Sequence, residues 1–305
     1  MARIGRSELD VFPLSLGGNV FGWTADEEQS FAVLDAYAAA GGDFIDTADS
    51  YGGGGGSETI VGRWLKRRGR RDDIVVATKV GAHPDLKGLA PATIARGADD
   101  SLRRLDTDRI DLYYTHFDDL DQPVEDIVTA LDKLVTAGKV RALGASNISP
   151  ERLAASLDFA EREGLARYEI VQPHYNLVER EKYEGALADL VAERGLSAAP
   201  YFALAAGFLT GKYRPGAAVD SVRANRAAPY LEDGRALRVL AVLDEVAAAH
   251  GAEPASVALA WLRARPTVVA PIASARTTGQ LPALIAGAAL ALTVEELDAL
   301  TAASA

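Results

Sequence analysis

Eight short apolar runs constrain this chain more than any other feature, because they leave room for a helix between each and the next. They are PLSLGG (13–18), FIDTADS (44–50), IVVATKVG (74–81), IDLYYTH (110–116), VRALGASN (140–147), EIVQPHYN (169–176), SAAPYFAL (197–204) and TVVAPIAS (267–274). Most are continuous rather than alternating, which is the pattern of parallel strands covered on both faces. The early ones recur about every 30 residues, the length of a strand–helix unit. The intervening stretches carry helical periodicity. In SETIVGRWLKRR (57–68), Ile60, Val61, Trp64 and Leu65 fall on one stripe. Ser149-Pro150-Glu151 reads as an N-cap followed by proline in a first turn, and Thr293 with Glu296 as a capping box. Eight units with right-handed crossovers favour closure into an α/β fold of the (β/α)8 TIM-barrel type. The 305 residues suit one such barrel as a single domain over 1–305, and no linker-like stretch divides them. The longest irregular segment is expected at roughly 205–234, rich in Gly, Pro and Arg.

Composition narrows the function classes. Cysteine is absent, so neither disulfides nor thiolate chemistry is available. The opening MARIGRSELD lacks the apolar core of a signal peptide, and no apolar run reaches membrane-spanning length, so a cytoplasmic protein without a membrane partner is expected. A net charge of −11 argues against nucleic acid as a partner and requires local basic residues for any phosphorylated ligand. The basic run Lys66–Arg71 reads as the solvated end of an amphipathic helix. The run Gly52–Gly56 lacks the Lys-Ser/Thr of a phosphate-binding loop and reads as a flexible loop.

Four residues carry the chemistry. Asp46, Lys79 and His116 stand at or just past the ends of separate strand candidates, and Tyr51 follows the second by a few residues. A parallel barrel gathers such ends into one pocket, where a carboxylate, an ammonium, an imidazole and a phenol form a proton-transfer site. A lysine about 4 Å from the phenol would contribute roughly 4 kcal/mol at an effective dielectric near 20, lowering the tyrosine pKa. Asp46 would keep Lys79 charged, and His116 would bond a substrate oxygen or join the relay. A metal-dependent hydrolase is a competing reading, but His116, Asp118, Asp119 and His174 lack ligand spacing and Lys79 opposes a nearby cation, so no metal is expected.

The order and spacing of several short motifs resemble the aldo-keto reductase family over essentially the whole chain. They are Asp46–Gly52, Ala77-Thr78-Lys79, His116 with Asp119, Gly144–Asn147, Gln172–Asn176, Gly207–Tyr213 and Ala275–Thr277. The resemblance implies reduction of aldehydes or ketones by hydride transfer from a nicotinamide, with Tyr51 as general acid tuned by Lys79 and Asp46. His116 would orient the carbonyl. It also implies cofactor contacts from Gly18, Asn19, Ser146, Asn147 and Gln172, stacking by Tyr201, and pyrophosphate contacts around Leu204, Gly207, Leu209, Gly211 and Lys212. Ser274, Arg276 and Gln280 would meet the adenosine end, with Arg276 favouring NADPH/NADP+ over NADH. The chain departs from the family at Phe202, at Ala273-Ser274 and at Leu281–Leu284, all near the adenosine end. Phe21, Trp23 and Phe117, with Tyr230, would line the pocket for a small-molecule carbonyl or alcohol substrate. The same resemblance allows a nicotinamide-binding, redox-sensing regulatory subunit with slow turnover.

Overall fold

A computed structural model of the protein describes residues 1–217, 219 and 221–305. Its central sheet is built from β1 (Ser15–Gly17), β2 (Phe44–Asp46), β3 (Val75–Val80), β4 (Ile110–Thr115), β5 (Val140–Ser146), β6 (Tyr168–Gln172), β7 (Ser197–Ala198) and β8 (Ile272–Ala273). Each pairs in parallel with its neighbour, and β8 pairs with β1. The remaining seam between β7 and β8 closes through the Ala198–Val268 bridge and the bond from Ile272 N to Pro200 O at 2.9 Å. The result is the eight-stranded parallel barrel of the expected (β/α)8 class.

All eight predicted strands are present, but several are cut short by proline. Pro173 stops β6 and Pro200 stops β7, while Pro271 directly precedes β8. Proline has no N–H to offer a ladder, so pairing lapses there although the chain stays extended.

The helices α1 (Glu27–Ala39), α2 (Gly56–Arg68), α3 (Pro91–Leu105), α4 (Val124–Thr136), α5 (Pro150–Glu163) and α6 (Ala186–Glu193) follow the first six strands. Ile60, Val61, Trp64 and Leu65 are buried as their stripe predicts. Ser149 caps α5 by accepting from Arg152 N. After β7 come α7 (Ala224–Glu232), α8 (Gly234–His250) and α9 (Pro254–Arg263), and after β8 come α10 (Leu281–Ala289) and α11 (Val294–Ala303). Thr293 and Glu296 form the expected capping box on α11. The segment 205–234 is less irregular than expected. It holds a 3-10 turn (Ala205–Thr210) and α7, which tolerates Pro229 in its interior, while Ala218 and Asp220 lie outside the described residues.

Strand alternation separates two environments. The inward row contains Phe44, Ala77, Leu112, Tyr114, Ala142 and Ile170, and Ile4, Leu9 and Val11 from an N-terminal hairpin (Ala2–Arg3 with Asp10–Val11) plug its lower end. Two residues further along the same rows come Asp46, Lys79, His116 and Gln172, and Ser146 lies four beyond Ala142. The period of two therefore aims these five at the carboxyl mouth of the barrel.

At the opposite end, Asp111 of β4 is buried and accepts from Arg71 at 2.6 Å, Arg141 at 3.0 Å and Val76 N at 2.9 Å. Arg71 is thus not part of a solvated helix end. The chain turns at Gly69, the C-cap of α2, and returns this arginine to the barrel floor. The rest of the basic run does meet surface carboxylates, as in Lys66–Asp106 and Arg68–Asp73.

Close approach of α2 to α3 depends on Gly62. A Cβ there would lie 2.6 Å from Arg104 O and 2.6 Å from Leu105 C, both backbone atoms. Helix propensity alone predicts that Gly62→Ala stabilises by about 1 kcal/mol. Overpacking against backbone predicts instead a loss of roughly 1–3 kcal/mol. Urea unfolding of the variant is expected to show the loss.

Candidate active site

The mouth of the barrel opens into a cleft of about 830 Å³. Its lining includes Asp46, Tyr51, His116, Ser146, Asn147, Gln172 and Tyr201 at the barrel end, and Lys212, Arg223, Arg226, Arg276 and Gln280 farther out. The four chemistry-bearing residues anticipated from strand ends thus converge. Lys79 is fully buried, and its ammonium donates to Asp46 Oδ2 at 2.7 Å, Thr47 O at 2.7 Å and Tyr51 Oη at 3.4 Å. The Tyr51 ring meets His116 edge-on, with centroids 5.9 Å apart.

Protonation follows from these contacts. Burial pulls the Lys79 pKa down, but Asp46 and Tyr51 together outweigh it, so the ammonium sits above its ordinary value and stays charged. Burial also raises the Tyr51 phenol, and Lys79 only partly offsets this while Asp46 adds to it. The expected lowering of Tyr51 is therefore not observed. The physical reason is burial, which penalises the phenolate by more than Lys79 stabilises it, with Asp46 acting in the same direction as burial. His116 is lowered to about 3, first by burial and then by Lys79, so it is a neutral imidazole. Its Nδ1 is buried without a partner among the described residues.

A chain of hydrogen bonds extends this centre around the barrel. Gln172 Nε2 donates to Asp46 Oδ1 at 2.9 Å, and Ser146 Oγ donates to Gln172 O at 2.8 Å. Asn147 Nδ2 donates to Ser146 Oγ at 3.0 Å and to His116 O at 2.9 Å, and the Tyr201 hydroxyl donates to Asn147 Oδ1 at 2.8 Å. His174 stacks on Tyr201 with centroids 5.2 Å apart. Asp118 pairs with Arg152, and Asp119 accepts from Leu89 N, so neither joins His116 in a ligand cluster.

Backbone conformation marks the same region. Among the described residues, six non-glycine residues have positive φ, and Asn147, Phe202, Ala205 and Ala206 are four of them. Each such residue costs about 1–3 kcal/mol and persists only where its surroundings enforce it. Asn147, Phe202 and Ala206 line the cleft.

Placement of the other expected residues is mixed. Asn19, Leu204, Gly207, Ser274 and Phe117 line the cleft with those named above, and Ser274 Oγ donates to Asn19 Oδ1 at 2.6 Å. Gly18 and Leu209 are buried beside it, and Gly211 caps the 3-10 turn. Phe21 is fully buried in the core, Trp23 is 55% exposed outside the cleft lining, and Tyr230 packs on Phe208. Arg223 and Arg226 were not anticipated, although their proximity to Arg276 makes the outer cleft its most cationic part. Among the described residues the Nη2 of Arg223 is buried without a partner, and burial followed by Arg226 and Arg276 lowers its pKa. A guanidinium keeps its charge even so, which places a further cation on the cleft wall.

The chain is similar to known proteins over most of its length. A model described as the Aldo/keto reductase family matches residues 13–305. A protein of Oryza sativa subsp. japonica named a probable voltage-gated potassium channel subunit beta is 36% identical over 291 residues, covering 92% of this chain and 88% of that protein. The uncharacterized oxidoreductase YrpG of Bacillus subtilis is 34% identical, with 96% and 92% covered. Norsolorinic acid reductase stcV of Emericella nidulans is 33% identical, with 94% and 76% covered.

The buried ion pair yields a double-variant test. Lys79→Met leaves the nearly inaccessible Asp46 carboxyl without its cation, at an expected cost of about 3–5 kcal/mol. Adding Asp46→Leu is expected to restore much of that stability, because the second charge goes too. Urea midpoints of the single and double variants measure the difference.

Proposed function

Because the chain belongs to the aldo/keto reductase family, whose members are oxidoreductases acting on carbonyl compounds, we propose that it reduces aldehydes or ketones to alcohols with NADPH. The carrying observation is one cleft in which a protonated phenol, a charged lysine behind it and a neutral imidazole stand together. The nicotinamide, when bound, supplies a hydride to the carbonyl carbon. As that carbon accepts it, negative charge gathers on the carbonyl oxygen. An N–H of the neutral His116 would hold this oxygen, and Tyr51 would give it a proton. A raised phenol pKa does not prevent the transfer, because an alkoxide is far more basic than a phenolate. Lys79 would stabilise the tyrosinate left behind, with Asp46 fixing its position.

The residues fit a phosphorylated dinucleotide. Ser146, Asn147 and Gln172 offer the donors and acceptors that a carboxamide needs, and Tyr201 presents an aromatic face. At the outer end, Lys212, Arg223, Arg226 and Arg276 supply charge, and among the described residues Arg223 has a buried donor without a partner. The proposed roles of Gly18, Asn19, Leu204, Gly207, Leu209, Gly211, Ser274 and Gln280 are to shape this channel.

A second reading comes from the rice relative's name, a channel subunit beta. On that reading the chain binds a nicotinamide and turns over slowly as a redox-sensing subunit. Rapid multiple turnover on an aldehyde panel, followed at the nicotinamide absorbance, separates the two.

Two variants test the leading reading. Tyr51→Phe is expected to reduce turnover by about 100-fold or more while leaving NADPH binding by fluorescence titration nearly unchanged. Full turnover by that variant would remove the assignment. Arg276→Ala is expected to weaken NADPH about tenfold more than NADH, since a guanidinium matches phosphate geometry. An unchanged ratio of the two affinities would remove the NADPH preference.

A further inference from the structure

Tyr51 is held in an unequal way. After it, Gly52, Gly53, Gly54 and Gly55 all have left-handed backbone, with φ of 64°, 81°, 102° and 92°. Glycine adopts these angles readily, and Gly55 N donates back to Tyr51 O at 3.0 Å, but the glycines have no side chains to tie the turn to the barrel. Further ties lie upstream. There Thr47 N donates to Ala77 O at 2.8 Å and Asp49 N donates to Lys79 O at 3.2 Å, which continues the β2–β3 ladder past its last paired strand residues. Asp49 adds a side-chain link, since its Oδ2 accepts from Gly81 N at 3.2 Å. Asp49 is 1% exposed; the His83 N–H also faces its carboxyl, although among the described residues Oδ1 completes no hydrogen bond.

We propose that Asp49 is a positioning residue for the Tyr51–Lys79 pair, its carboxyl clamping the turn that delivers Tyr51 to the end of the strand that delivers Lys79. The proposal rests on the reading of Tyr51 as proton donor. It also explains why a carboxyl occupies this buried position, which packing alone would fill with an apolar residue.

The clamp carries a proton of its own. Burial, with Glu58 of α2 adding, raises Asp49 to about 6, while Gly81 N–H and His83 act in the opposite direction. Glu58 is itself paired with Arg104 of α3 at 2.6 Å. Ionised Asp49 in turn raises Tyr51 and, from β4, Tyr113. Below pH 6 the clamp is neutral. As pH rises through 6 it gains a charge that makes Tyr51 a weaker acid, so turnover in the reducing direction is expected to fall across that step.

The test compares wild type, Asp49→Ala, Asp49→Asn and His83→Gln with saturating NADPH and one aldehyde between about pH 5 and 8. Asp49→Ala is expected to lose about 10- to 100-fold in kcat with little change in KM or NADPH affinity, because a small misplacement of the acid suffices. Asp49→Asn keeps the acceptor for Gly81 N–H and is expected to retain kcat but lose the inflection, whereas His83→Gln keeps it. Hydrogen exchange of peptides covering 47–56 and 79–83 is expected to rise in Asp49→Ala and not in Asp49→Asn, with or without turnover. The proposal is overturned if Asp49→Ala turns over like wild type, if Asp49→Asn keeps the inflection, or if exchange is unchanged in both. Absence of turnover in wild type would instead overturn the reductase reading, and exchange alone would then decide the clamp.

Discussion

An ammonium with no access to water must be answered by oxygen from every side, and the upper end of this barrel is arranged around that requirement. Lys79 is satisfied by Asp46, Thr47 O and Tyr51. Asp46 then needs a second donor, which Gln172 supplies from four strands away around the sheet, at 2.9 Å. Gln172 O takes Ser146, Ser146 takes Asn147, and Asn147 takes Tyr201. Each link leaves one polar group to be met by the next. One buried charge thereby fixes side chains from β2, β3, β5 and β6 and from the loop beyond β7 relative to one another. Such a network is costly to break at any member and correspondingly rigid, which is what positioning a proton transfer needs.

The fold was legible because its two periodicities are clean. Continuous apolar runs gave eight strands, and the stripe of Ile60, Val61, Trp64 and Leu65 gave a helix that packs as expected. Convergence of Asp46, Tyr51, Lys79 and His116 followed from strand ends alone. What failed depended on things a linear pattern does not carry. Arg71 looked like the last of a solvated basic run, yet the turn at Gly69 sends it to Asp111. Pro229 and the surrounding arginines looked irregular, yet α7 forms there. Phe21 follows the first strand, but the chain turns it inward to the core.

The protonation of Tyr51 is the most instructive miss. A Coulomb estimate with one lysine predicts a more acidic phenol, but the same burial that brings the lysine close also penalises the phenolate. Asp46 is needed to keep the lysine charged, and its own charge acts on Tyr51 in the wrong direction. Sequence supplies the identities of these groups but not the balance among them, which is set by distance and solvent access. The four glycines after Tyr51 have the same character. Read as a sequence they suggest looseness, but their shared left-handed backbone shows a defined turn with few side-chain ties of its own.

The two ends of the cleft also differ in kind. At the barrel end charge is paired and buried, and His116 is neutral. At the outer end Lys212, Arg223, Arg226 and Arg276 line the wall, with Glu253 the only carboxylate among the described lining residues there. The chain as a whole carries −11, so this cationic wall is a local exception against a repelling background. Low-dielectric walls focus such a field into the cleft. On the proposed function, attraction for a phosphorylated cofactor acts far from the reacting carbon, where it anchors the molecule equally in the ground state and the transition state. The neutral, preorganised end is then free to respond only as charge develops on the carbonyl oxygen, which is the condition for raising turnover rather than affinity.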